Sequence, residues 1–114
     1  MLAVGEQLFG QMDAGAVRMS TGFGGGVGGT HEELCGALSG GVLLIGALHG
    51  RAAPGEEKTR CYEAVVRYRE RFAETFGATI CQRLRDRGYG SEVSPCSALA
   101  AEAARLLLET LATD

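Results

Sequence analysis

No two cysteines in this 114-residue sequence stand close together. Cys35, Cys61, Cys81 and Cys96 are separated by 26, 20 and 15 positions, which excludes the local Cys-x-x-Cys form of a thioredoxin-like dithiol or a zinc ribbon. Any shared sulfur site has to be assembled by folding, with one thiol from each of several elements. No apolar run is long enough to cross a bilayer: the longest uncharged one, Leu34 to Leu48, has 15 residues, against about 20 for a span. That run reads as a buried helix. Positive charge is not in excess either. The net charge is -3 and the isoelectric point lies near 5.4, so nucleic acid is not expected as a partner. The start of the chain lacks a secretory pattern, since Met1-Leu2-Ala3-Val4 runs directly into Gly5-Glu6. Four cysteines without such a pattern point to reduced thiols and a cytoplasmic location.

What is present is ordinary globular material, with 46% apolar and 22% charged residues. At this length one domain over residues 1–114 is expected, with a single core. The oddity is 18 glycines, about twice the usual share, crowded into the first half.

Apolar spacing predicts an all-α fold, a small bundle of four to five helices with a Gly-rich loop between the first two. Leu2, Leu8, Phe9, Met12 and Val17 suggest a helix over 1–20, and residues 21–29 (TGFGGGVGG) suggest a loop. Thr30-His31-Glu32-Glu33 matches a capping box opening a helix to about Leu48. That helix is apolar on every side and is expected to be the most buried. A third helix, about Glu56 to Phe76, carries the stripe Cys61, Val65, Tyr68, Phe72 and Phe76, and Gly77 ends or bends it. A segment from Ala78 to Arg87 follows, and Ser94-Pro95 opens a last helix through Leu111. Residues 51–87 hold nine basic and six acidic groups. Pairs such as Glu56 with Arg60 and Glu63 with Arg67 make this a solvated helix face, the alternative being an anionic partner.

Two cysteines fall at predicted helix starts. Cys35 lies in the first turns after Thr30, and Cys96 follows Ser94-Pro95. Free amides and the positive end of the helix dipole favour a thiolate there, which makes both candidate reactive thiols. The alternative is that they fill the core as small apolar groups, and Cys61, on an apolar stripe, fits core packing better. Gly24-x-Gly26-x-x-Gly29 matches a dinucleotide fingerprint in form alone, with no strand ahead of it. What survives is a candidate anion or cofactor site formed by the amides of Gly24, Gly25 and Gly26 and by Thr30. His31 and His49 bracket the apolar helix, too far apart for one metal if it is continuous. His31 could pair with Cys35 one turn on, or simply be a solvated helix-end histidine.

Thr21-Gly22-Phe23-Gly24-Gly25-Gly26, then Cys35-Gly36-Ala37-Leu38-Ser39-Gly40, then Phe76-Gly77 ahead of Cys81, and Cys96 ahead of an Ala-rich helix, together resemble the C_GCAxxG_C_C family of redox-active proteins over nearly the whole chain. The resemblance implies a small helical domain whose motif cysteines act in redox chemistry or cofactor binding. Cys35 takes the place of the hexad cysteine, and Cys81 and Cys96 take those of the two later ones. The family's first cysteine has no counterpart; by its spacing to the glycine run it would fall at or just before Met1. Cys61 matches no family position.

The expectation is therefore a helical protein in which Cys35, Cys81 and Cys96 converge near the glycine loop. They would serve thiol chemistry with an unidentified redox partner, or bind a metal ion or iron-sulfur cluster. A helical interaction module with buried thiols is the competing expectation. The apolar central helix also makes a homodimer plausible.

Overall fold

The computed structural model describes residues 2–113; Met1 and Asp114, and the position assigned to the missing family cysteine, lie outside them. The elements are α1 (Leu2–Phe9), α2 (Ala14–Ser20), a 3-10 turn (Thr21–Phe23), α3 (Gly36–His49), α4 (Thr59–Phe76), α5 (Cys81–Asp86) and α6 (Cys96–Ala112). The all-helical class is as expected, and among the described residues the only β pairing is one isolated antiparallel bridge, Leu34 with Ile80.

The helix expected over 1–20 is two helices. Gly10 takes a φ of +83°, which ends α1, and Asp13 starts α2 by accepting from the Ala16 amide at 3.0 Å. The glycine-rich segment thus joins the second and third helices. The capping box at Thr30 does not form. Residues 31–34 are outside any helix and α3 begins one turn later, with Cys35 as its N-cap residue. Thr30 instead donates its hydroxyl to the carbonyls of Gly26 and Val27 and accepts from the Glu32 amide. His31 is therefore not on the helix it was expected to begin. Glu56, three residues ahead of α4, cannot form a helical pair with Arg60.

Helices α3, α4 and α6 pack against one another in pairs. Residues Ala64, Tyr68, Phe72 and Phe76 of α4 recur every four positions and are all buried, as a one-sided helix requires. They meet Leu38, Leu44 and Ile45 of α3 and Leu99, Ala103, Leu106 and Leu107 of α6. Helix α3 is less enclosed than its composition suggests. Leu43 and Leu48 remain 42% and 38% exposed, because α4 and α6 cover one side of the helix while the short α1 and α2 leave part of the other open. Gly77, at φ +82°, ends α4 in a left-handed cap whose amide returns to Ala73.

Candidate functional site

Three helices begin at a cysteine. Cys35 is the N-cap of α3, Cys81 the first residue of α5 and Cys96 the first residue of α6. All three line one cavity of about 170 Å³, together with Gly25, Gly36, Ala37, Leu84, Arg85, Tyr89, Leu99 and Ala100. Cysteines separated by up to 61 positions thus share one mostly apolar wall. Cys61 is not among them. It lies half-buried in a second apolar groove, with Val42, Leu43, Gly46, Tyr62, Val65 and Val66.

A short backbone clasp sets the first two thiols side by side. The Cys35 amide donates to the Thr79 carbonyl and the Cys81 amide donates to the Glu33 carbonyl, each at 2.8 Å. These bonds flank the Leu34–Ile80 bridge. Cys35 and Cys81 therefore lie on the face of the clasp opposite Leu34 and Ile80, since successive residues alternate sides. A third bond, from the Gln82 amide to the His31 carbonyl at 2.8 Å, extends the clasp into α5.

The glycine run is the base of this arrangement. Five consecutive residues, Gly25 to Gly29, have φ between +60° and +73°, as does His31 at +64°. This is backbone that side chains disfavour, and Val27 adopts it as a β-branched residue. The turn is knitted internally: the Gly28 amide donates to Gly22, Gly29 to Gly24, His31 to Gly25 and Glu33 to Gly26. The Gly24 amide is committed to Thr21. These bonds engage part of the anion cradle expected of Gly24, Gly25, Gly26 and Thr30. The Gly24 amide and the Thr30 hydroxyl are spent on the loop itself, Gly26 is packed under Cys81, and Gly25 reaches the thiol cavity.

The third thiol arrives through the tight loop before α6, where the Gly90 and Ser91 amides both donate to the Ser94 carbonyl. A Cβ on Gly90 would stand 3.3 Å from Cys96 Sγ and 3.3 Å from Arg85 Nη1, so sulfur and guanidinium flank the same point. Cys96 is exposed, whereas Cys35 and Cys81 are partly buried.

Burial raises the Cys35 thiol above its ordinary value, and the Cys81 and Cys96 sulfurs push in the same direction. The nearby amides of Ala37 and Leu38 favour the thiolate, as expected for a helix start, but they make no cap hydrogen bond of normal geometry. Desolvation outweighs them, so the expected lowering of Cys35 is reversed. Cys81 is also raised by burial, with Arg85 opposing and Cys96 reinforcing the shift. His31 is not among the groups that act on Cys35. Among the described residues, no three of His, Cys, Asp and Glu are grouped as ligands of one metal ion.

Two residues of the cavity went unnoticed in the sequence. Arg85 follows Cys81 by four positions, hence on the same face of one helix, and that spacing was the available signal. Tyr89 lines the cavity and stacks edge-on against Phe76 at 5.6 Å. Phe76 contacts Phe72 at 4.6 Å, which in turn meets Tyr68 at 6.2 Å. A row of aromatic rings thereby ties the cavity wall to the core.

Fold and cavity together define a small all-helical protein with three cysteines gathered at helix starts. Over residues 1–110 the chain matches the family model described as "putative redox-active protein (C_GCAxxG_C_C)", and it belongs to that family. No curated protein and no solved structure matches it. Among the described residues, no helix is long and apolar enough to cross a membrane.

Proposed function

We propose that the protein carries out thiol–disulfide exchange through Cys35, Cys81 and Cys96. The observation that carries this reading is their common cavity, reached from three separate helix starts. Cys96, the exposed thiol, is the contact residue. Its thiolate attacks one sulfur of an external disulfide, a new Cys96–S bond forms, and the leaving thiolate takes a proton from water. Cys81 or Cys35, as thiolate, then attacks Cys96 Sγ. An intramolecular disulfide forms and the second external thiolate leaves. The protein dithiol loses two electrons and two protons, and one external disulfide becomes two thiols.

The test is anaerobic treatment of the reduced protein with a small disulfide, followed by intact-mass measurement and peptide mapping. The expected product is a loss of 2 Da with a bond between two of Cys35, Cys81 and Cys96. A protein that stays reduced until it is denatured overturns the reading.

One observation favours a second reading, a helical module with buried thiols as filler: Cys35 and Cys81 are partly buried and held toward the neutral thiol. On that reading, replacing Cys35, Cys81 and Cys96 together with Ala alters stability alone, and no exchange is lost because none occurs.

A further inference from the structure

The wall of the thiol cavity contains one formally charged group, Arg85. Every other lining residue is a cysteine, a glycine, an aliphatic residue or Tyr89. Three arginines elsewhere hold the fold together. Arg105 bridges Glu102 and Glu109, Arg87 donates to the Phe76 carbonyl at 2.9 Å, and Arg71 donates to Thr110 at 3.1 Å. The Arg85 guanidinium makes no hydrogen bond or ion pair with any described residue, and its Nη1 and Cys96 Sγ each lie 3.3 Å from the point that a Cβ on Gly90 would take. The cavity thus combines a small apolar space, three thiols and one unneutralised cation at its rim.

We propose that Arg85 is a substrate-binding residue and that the site takes small disulfides bearing a carboxylate. This rests on the thiol-exchange reading above. The planar guanidinium matches a carboxylate through two parallel hydrogen bonds. Leu84, Leu99 and Tyr89 supply apolar wall for a short carbon arm, and the volume of about 170 Å³ is close to that of an apolar cavity of about 150 Å³ that holds benzene. An arm of two or three carbons therefore fits, with the disulfide among the cysteines and the carboxylate at Arg85. The chemistry is the exchange already written: Cys96 forms the mixed disulfide, and the carboxylate-bearing thiolate leaves past the guanidinium and is protonated by water.

Three reagents with matched two-carbon arms separate charge from reactivity: 3,3′-dithiodipropionate (anionic), bis(2-hydroxyethyl) disulfide (neutral) and cystamine (cationic). Oxidation of the whole reduced chain is followed by intact mass, and each rate is divided by the rate for urea-denatured protein to remove intrinsic reactivity. The wild type is expected to favour the anionic over the cationic reagent by on the order of tenfold, decreasing with salt. Arg85→Gln brings the ratio to about one, Arg85→Glu inverts it, and Arg85→Lys retains part of it. Arg85 also acts on the Cys81 thiol, but that effect changes all three rates alike and cancels in the ratio. Arg85 is exposed, so these variants keep the fold, as circular dichroism will verify. A wild-type ratio near one, or an anionic preference that survives in Arg85→Glu, overturns the assignment of Arg85 while leaving thiol exchange standing. If no reagent oxidises the native protein, the exchange reading itself fails and this inference with it.

Discussion

Gly26 and Cys81 approach so closely that no side chain fits at the glycine: a Cβ there would lie 2.6 Å from Cys81 Cβ and 2.7 Å from His31 Cα. Gly26 also holds a φ of +72°. The glycine is thus required twice, by conformation and by space, and it positions Cys81 against the loop that leads to Cys35. Gly28, at φ +63°, has nothing within 4 Å of the place a Cβ would take, so conformation alone constrains it. Gly26→Ala is expected to destabilise by about 2–4 kcal/mol, combining left-handed strain with overpacking. Gly28→Ala should lose about 1–2 kcal/mol. Urea unfolding of the reduced proteins measures both, and equal losses would mean that the Cys81 contact is not a constraint.

The buried Tyr68 connects the core to the start of α3. Its hydroxyl donates to the Ala37 carbonyl at 3.2 Å, with the Ala103 carbonyl at 3.4 Å, and its ring lies where a Cβ on Gly41 would be 2.7 Å from the phenol oxygen. Tyr68→Phe removes the donor and leaves the carbonyl oxygens with other partners, at a loss of about 1 kcal/mol and a melting temperature lower by about 4 °C. Gly41→Ala forces the ring aside and should be the more damaging, by about 1–3 kcal/mol. Calorimetry of the two variants tests the order. A Gly41→Ala protein as stable as the wild type would show that the ring has room to move.

Much of the helical layout was legible because it follows from local periodicity. The α4 stripe through Tyr68, Phe72 and Phe76, the stop at Gly77 and the start at Cys96 all depend on residues within a turn of each other. The Thr30 capping box failed for a non-local reason. Residues 31–35 pair with 79–82, and those tertiary bonds hold the chain extended where the local pattern favoured a helix. Gly10 falls inside the single helix expected over 1–20, and its positive φ makes it an end instead. At the site, the positions of Cys35 and Cys96 at helix starts were readable, but the balance of forces on Cys35 was not. A helix start favours a thiolate, and only the fold reveals the burial that outweighs it.

Cys61 offers an internal control. It lines a groove with Val42, Tyr62 and Val66 and is not part of the thiol cavity. Cys61→Ser is expected to leave the 2 Da loss on oxidation unchanged. Stability should fall by about 1 kcal/mol for placing a hydroxyl in a half-buried apolar setting. A variant that no longer forms the intramolecular disulfide would place Cys61 in the redox pair.

The raised thiols predict how stability depends on pH. Cys35 and Cys81 both sit above the ordinary value of 9.0, chiefly through burial. An unfolded chain releases these protons near the ordinary value, and the folded chain releases them at higher pH. Between the two, the folded state binds more protons than the unfolded one, so stability falls as pH rises. The stabilisation is fully present below about pH 8, where both states keep the protons, and is lost as pH passes through the folded values. Tyr68, raised from 10.0 by burial and by the neighbouring Cys35, carries the decline to higher pH. Urea midpoints measured under reducing conditions should therefore decrease from pH 8 to 10. The decrease should be shallower in Cys35→Ala than in the wild type, with a smaller change in Cys81→Ala, whose thiol is partly offset by Arg85. A slope that is identical in all three proteins would mean that neither thiol is desolvated by folding.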